Sequence, residues 1–336
     1  MSNSTRKTTT LSPDRRAFLS HSLGGFAGAA LAASDAEAFT LARPTRELSP
    51  DAVGILYDST LCIGCKMCVA ACGVMHKMPA AVRKPGDPEE LDGRTLTVIK
   101  TYAHGSGKVK DRETDGFAFL KRQCLHCADP TCVSVCPVSA MQKDPVTGIV
   151  TNNPDACMGC RYCSYACPFG VPQFDLTGAY GRINKCDMCV DLQRQGKVPA
   201  CADVCPTGAT LFGKVADLQA EADRRLSLAP GMPYVFPRGK LGDARKRKHP
   251  GRIAKYQPQT YGLEEGGGTQ VRYLAGVSFE KLGLPKLPSH SAAAVSEGVQ
   301  HTLYRSFAAP ITLFTAFLAL AYRSSRNHRP AEEPGA

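Results

Sequence analysis

Apolar residues in this chain come in short runs separated by long polar stretches. Gly54 to Tyr57 and Phe117 to Leu120 are runs of strand length, and Thr95 to Tyr102 (TLTVIKTY) is rich in β-branched residues. Ala140 to Thr151 (AMQKDPVTGIVT) places two such segments around Asp144 to Gly148, which predicts a hairpin with its turn there. Val215, Leu218, Ala222 and Leu226 recur at helical spacing and predict one amphipathic helix. Five prolines from Pro230 to Pro258 then describe an extended segment expected to wrap the rest of the domain. Gly266-Gly267-Gly268 reads as a turn before a strand from Thr269 to Leu274; it lacks the lysine and spacing of a phosphate-binding loop.

Both ends of the chain carry targeting patterns. A twin arginine, Arg15-Arg16, precedes Phe18-Leu19, a weakly apolar stretch from Leu23 to Ala33 and the small-residue site Ala36-Glu37-Ala38. A charged region, a short apolar region and a processing site in that order form an export signal, here of the twin-arginine type, so the mature chain is expected to start near Phe39. Near the other end, Ser306 to Tyr322 runs for 17 residues without a charge, at the lower limit for a spanning helix. One arginine, Arg305, precedes it, and Arg323, Arg326 and Arg329 follow. That asymmetry places the C-terminus in the cytoplasm and the folded body outside, the side to which the leader points.

The chemistry lies in the cysteines. The chain has 336 residues and 16 cysteines, all between Cys62 and Cys205, and they sort without remainder into four groups of four. The first is Cys62, Cys65, Cys68 and Cys72; the second is Cys124, Cys127, Cys132 and Cys136, followed by Pro137. The third is Cys157, Cys160, Cys163 and Cys167, followed by Pro168; the fourth is Cys186, Cys189, Cys201 and Cys205, followed by Pro206. Three closely spaced cysteines on one tight loop can direct their sulfurs at three corners of a cubane. The fourth, expected to start the next helix, then serves the other cluster of a pair, as in bacterial two-cluster ferredoxins. Four groups therefore predict four [4Fe-4S] clusters in two pairs. Structural zinc has no place for the extra cysteine step within one loop. Disulfides are disfavoured because cysteines two apart are poorly placed to bridge one another. His126, between two of the cysteines, is expected to make a hydrogen bond within its loop and not to replace a thiolate.

The clusters also change the meaning of the net charge of +11. Residues 1–38 hold four of the 41 Lys and Arg and three of the 30 Asp and Glu, which leaves +10. Each cluster with its four thiolates adds about −2, so the loaded domain is nearly neutral. The dense basic run Arg245-Lys246-Arg247-Lys248 is therefore read as a solvated loop or a contact to a partner or lipid headgroups, and no nucleic-acid partner is expected.

The chain resembles the iron-sulfur electron-transfer subunits of periplasm-facing, membrane-bound [NiFe] hydrogenases of the hydrogenase 2 type, within the four-cluster ferredoxin-like superfamily that also serves molybdoenzymes. The resemblance rests on the twin-arginine leader, on Gly54-Ile-Leu-Tyr-Asp-Ser-Thr-Leu-Cys62 and on Cys132-Val-Ser-Val-Cys-Pro-Val-Ser-Ala140. It extends to Glu265-Gly-Gly-Gly-Thr-Gln-Val271, Leu284-Pro-Lys-Leu287 and Gln300-His-Thr-Leu-Tyr304. Gly73, where the pattern has proline after the fourth cysteine, is a departure.

The resemblance implies an α+β fold of two ferredoxin-like modules in pseudo-twofold arrangement, with an extended C-terminal segment and a C-terminal transmembrane helix. The expected divisions are 1–38 for the signal peptide, 50–214 for the cluster domain with an insertion at 73–116, 215–303 for the helix and wrapping segment, 304–323 for the anchor and 324–336 for a cytoplasmic tail. It further implies that the first group pairs with the fourth and the second with the third. Cluster 1 then takes Cys62, Cys65, Cys68 and Cys205, and cluster 2 takes Cys186, Cys189, Cys201 and Cys72. Cluster 3 takes Cys124, Cys127, Cys132 and Cys167, and cluster 4 takes Cys157, Cys160, Cys163 and Cys136. The implied partners are the small and large subunits of a [NiFe] hydrogenase, a polytopic quinone-interacting membrane subunit and membrane lipid. The alternative is the iron-sulfur subunit of a formate dehydrogenase or other molybdoenzyme; such subunits usually travel with a signal-bearing partner, so the leader favours the hydrogenase type. Catalysis by the chain itself is not expected, because the clusters consume every thiolate.

Overall fold

The computed structural model describes residues 42–78, 90–176, 181–243 and 247–327. The leader, most of the expected tail, and Arg245 and Lys246 of the basic run lie outside the described residues. The chain divides into two units, residues 44–294 and residues 1–43 with 295–336.

The first unit opens with β1 (Val53–Asp58), a cysteine loop and α1 (Met67–Met75). Strands β2 (Val98–Ala103), β3 (Val109–Lys110) and β4 (Gly116–Arg122) lead to the second cysteine group and α2 (Thr131–Ser134). The hairpin β5 (Met141–Lys143) and β6 (Val150–Asn152) follows, as the sequence predicts, with its turn over the expected residues. After the third group and α3 (Tyr162–Ala166) comes a second hairpin, β7 (Gln173–Asp175) and β8 (Arg182–Asn184). The fourth group carries α4 (Val190–Arg194) and α5 (Ala200–Asp203), then β9 (Thr210–Lys214) and α6 (Val215–Ser227). Strands β10 (Pro233–Pro237), β11 (Gly239–Lys240), β12 (Lys248–Arg252) and β13 (Val271–Leu274) precede α7 (Ala292–Asn327).

The central sheet has the order β11-β9-β1-β13. β1 pairs antiparallel with β9 and parallel with β13, so both its edges are occupied and residues 54 to 58 are buried. One face, with Leu56, Leu211 and Leu274, packs against Leu218 and Ala222 of α6. The other, with Ile55, Tyr57, Val271 and Tyr273, faces the core that contains many of the cysteines. The sheet is thus a partition between the amphipathic helix and the cysteine loops. A Cβ at Gly54 would run into the carbonyl oxygen of Gln270, so only glycine admits the parallel strand this closely.

Three expectations change. Residues 73–116 contribute two strands to a sheet of order β2-β4-β3, with Leu96, Val98 and Ile99 in the core; the paired strand starts at Val98, three residues later than the apolar pattern reads. The proline-rich stretch after α6 is largely an antiparallel hairpin of β10 on β12, since proline is tolerated in the edge strands of so small a sheet. The fourth cysteine of a group does not start a helix. Cys136, Cys167 and Cys205 each follow a short helix that contains the third cysteine, because a proline comes next and drives the preceding residue out of the helical region. Cys72 is followed by glycine and lies within α1.

Ser291 caps α7: its Oγ accepts hydrogen bonds from the N–H groups of Ala293 (3.0 Å) and Ala294 (3.3 Å). In the second unit α7 is exposed along Leu303, Phe307, Ile311, Leu313, Phe314, Phe317 and Leu320. It is, among the described residues, the one helix long and apolar enough to cross a membrane.

Candidate iron-sulfur centres

Each cysteine group begins with the same backbone device. Two residues after the first cysteine the chain turns left-handed: Gly64 (φ 70°), His126 (φ 48°), Gly159 (φ 72°) and Met188 (φ 55°). At two of these turns the N–H of the left-handed residue itself donates to the first cysteine: Gly64 to Cys62 Sγ (3.5 Å) and Met188 to Cys186 Sγ (3.3 Å). Glycine adopts the turn without cost, whereas His126 must be held in it. Its Nδ1 accepts the N–H of Val150 at 3.0 Å, with the ring fully buried, so the expected loop hydrogen bond is present. Burial, reinforced by Lys185 and Lys143, pushes its pKa well below the usual histidine value.

Helix packing then brings distant groups together. α1 packs on α5, joining the first and fourth groups, and α2 packs on α3, joining the second and third. Cys62, Cys65, Cys68 and Cys205 line one cavity with Tyr57 and Ile99. Cys136 lies with Cys157, Cys160 and Cys163 around another, lined also by Met141 and Ile183. The sulfurs of Cys72, Cys189 and Cys201 act electrostatically on Cys186, and those of Cys124, Cys132 and Cys167 on Cys127. Each of these four gatherings contains three cysteines from one group and one from another.

Burial pushes the thiols of Cys68, Cys132 and Cys189 up to about 12, and neighbouring sulfurs add to the effect. Four thiolates this close and this dry repel one another too strongly to form without cations, and iron supplies the missing charge. The donor set therefore suits [4Fe-4S] clusters, which need four thiolates each.

Buried Lys121 and Lys185 and half-buried Lys143 lie near the cysteine loops, a feature that sequence reasoning missed. Lys185 donates to the carbonyl oxygens of Val150 and Cys186, and Lys143 to those of Cys127 (3.0 Å) and Gly148 (2.8 Å). Burial lowers the pKa of Lys143 to about 8 despite nearby sulfurs. Lys121 differs. Its side chain is fully buried, no oxygen accepts from its Nζ, and the group nearest to serving as an acceptor is the sulfur of Cys201. Burial depresses its pKa, but Cys201, Cys68 and Cys186 outweigh that effect and hold it above the usual lysine value. A lysine three residues before a cysteine is the sole trace of this in the sequence, too common to single out. Arg247 of the expected basic run is not free in solvent; it donates to the Asp203 carbonyl (2.9 Å) and pairs with the Asp203 carboxylate (2.6 Å).

Exposure also separates the four gatherings. Cys72, Cys186, Cys189 and Cys201 are all buried, whereas Cys65 and Cys160 are exposed. Exposed Ile63 and Met67 line the same cavity as Cys65, and exposed Met158 lines that of Cys160.

These features define a carrier of four [4Fe-4S] clusters, and two matches to the 4Fe-4S dicluster domain, over residues 61–140 and 116–215, agree. The hydrogenase-2 operon protein HybA of Escherichia coli O157:H7 is 44% identical over 285 residues, 83% of this chain and 86% of that protein, and the chain belongs to the HybA family. NrfC of Escherichia coli K12 is 35% identical over 62% of this chain and 86% of its own length. A formate dehydrogenase iron-sulfur subunit of Haemophilus influenzae is 31% identical over 51% of this chain and 54% of its own length.

Proposed function

We propose that this protein is a non-catalytic electron-transfer subunit, passing electrons through its four clusters from a periplasmic [NiFe] hydrogenase to a quinone-reactive integral membrane subunit. The clusters supply one-electron redox chemistry. The chain holds, separates and insulates them. The ligand sets are those implied by the resemblance: Cys62, Cys65, Cys68 and Cys205; Cys186, Cys189, Cys201 and Cys72; Cys124, Cys127, Cys132 and Cys167; Cys157, Cys160, Cys163 and Cys136. The crossed pairing would give two ferredoxin-like modules related by a pseudo-twofold.

The observation that carries this reading is the exposure pattern. Only the first and last of these sets contain an exposed cysteine, each beside exposed apolar side chains, and the set containing Cys72 is wholly buried. That is the layout of a wire with two ends and an insulated interior. All 16 cysteines are used, so no thiolate remains for a catalytic metal. The twin arginine, the charge asymmetry around Ser306 to Tyr322 and the length of α7 support export by the twin-arginine route and a single C-terminal anchor, assigned to residues 304–323, on the periplasmic face. The similarity to HybA favours a hydrogenase partner over a molybdoenzyme.

A paired assay tests it. Membranes from a deletion strain should oxidise hydrogen with a soluble dye but lose hydrogen-dependent quinone reduction. Equal loss of both, with the catalytic subunits present and matured, would assign the chemistry to this chain and refute the wire.

A further inference from the structure

Lys121 lies on β4, opposite Ile99 of β2. Ile99 lines the cavity of Cys62, Cys65, Cys68 and Cys205. The same face of β4 carries Phe119, whose ring would be struck by a Cβ at Gly64 in the first cysteine loop. The strand that leads to the second cysteine group therefore presses one face onto the first and fourth. There Lys121 is fully buried with no oxygen acceptor for its Nζ, and the sulfurs acting most strongly on it are Cys201, Cys68 and Cys186. One of these belongs to the first set of ligands and two to the second. Cys72 and Cys189 of the second set also feel its charge.

A buried ammonium without an acceptor is costly unless an anion sits beside it. The oxygens that satisfy Lys143 and Lys185 have no counterpart at Lys121, so sulfur is what remains. The sulfurs of clusters 3 and 4 are served differently. Cys127 feels Lys143, Cys132 feels Lys185, and no lysine is among the groups acting on Cys163.

We propose that Lys121 is a shared potential-setting residue for clusters 1 and 2, a fixed buried cation that raises the reduction potential of both and leaves clusters 3 and 4 unaffected. The proposal rests on the ligand sets given above. On reduction each cluster takes one electron from the upstream donor and no proton, since Lys121 stays protonated in both states. A fixed positive charge in a dry interior favours the added electron. Because the same charge acts on both clusters, it moves both potentials in the same direction.

The test is a potentiometric titration, followed by electron paramagnetic resonance, of the full-length protein with its clusters. Lys121→Met keeps the length of the side chain and removes the charge; Lys121→Arg keeps the charge. At a fixed poise the reduced-to-oxidised ratio of two of the four centres should fall at least tenfold in Lys121→Met, equivalent to about 59 mV for a one-electron couple. The other two should not move, and Lys121→Arg should restore most of the shift. No shift, an equal shift of all four, or an equal defect in Lys121→Arg would overturn the proposal. Should Lys121→Met lose iron, protein labelled with 15N-lysine is read by pulsed resonance in the reduced state. A nitrogen coupling that disappears in Lys121→Arg supports the contact, and no such coupling refutes it. Fewer than four centres in the unaltered protein would refute the cluster reading itself, whereas four centres with unmoved potentials refute only the role of Lys121.

Discussion

The guanidinium of Arg225 lies 3.0 Å from the carboxylate of Asp58, and both side chains are fully buried. Arg225 also donates to Glu221 (2.9 Å), while Tyr256 donates to the same Asp58 oxygen (2.7 Å) and Tyr234 to Glu221 (3.0 Å). Asp58 ends β1, and its other oxygen accepts the Thr60 N–H (3.0 Å) as the chain turns into the first cysteine loop. The network therefore ties α6 and the β10–β12 hairpin to the entrance of the first cluster loop. Arg225→Ala strands two buried carboxylates and should cost about 3–5 kcal/mol, measured by anaerobic chemical denaturation. Arg225→Met combined with Asp58→Asn and Glu221→Gln should recover part of that loss, because no charge is then left unpaired.

Four complete cysteine sets predict about 16 iron and 16 acid-labile sulfide per chain. Anaerobic metal analysis checks this; zinc, or half the iron, would contradict the four-cluster reading.

Cys136→Ala should damage the cluster held by Cys157, Cys160 and Cys163 and spare the one held by its sequence neighbours Cys124, Cys127 and Cys132. The reason is positional, since Cys136 shares a cavity with the third group. Resonance spectra of the variant, or a structure with its clusters bound, would reveal which centre is altered.

Acid should destabilise the protein partly through His126. Its folded pKa lies well below the unfolded value of about 6.5, so the unfolded chain binds more protons in the window beneath that value. Stability contributed by the neutral ring is present above about pH 6.5 and declines as pH falls, by up to about 1.4 kcal/mol per pH unit. His126→Asn, which tolerates the left-handed turn, should show a shallower decline between pH 7.5 and 5.5 in parallel anaerobic denaturation curves.

Replacing Arg15-Arg16 by Lys-Lys should leave the protein inside the cell, because the pair is the address read by the export machinery. Cell fractionation decides it; unchanged export would remove the periplasmic assignment.

Much of the site is legible in the sequence because cluster chemistry demands cysteines at short, fixed spacings. The four groups, the β5–β6 hairpin, the helix from Val215 and the loop role of His126 all follow from local rules of spacing, turn chemistry and periodicity. The turn positions are half visible: Gly64 and Gly159 announce a left-handed residue, whereas His126 and Met188 occupy the equivalent place without a signature. The helices that end before Cys136 and Cys205 are explained by the prolines that follow, although the sequence reading expects helices to start there.

The sequence by itself determined how many thiolates there are, how they are grouped and that they need iron, since these depend on residue type and local spacing. Which groups come together was decided by the packing of α1 on α5 and of α2 on α3, contacts between segments far apart in the chain. Tertiary structure alone also placed Lys121 among sulfurs of two groups, joined Arg225 to Asp58, and left Cys65 and Cys160 at the surface while burying Cys72. Burial and electrostatic neighbourhood arise only when distant segments share a dry interior, and no local pattern along the chain records which segments those will be.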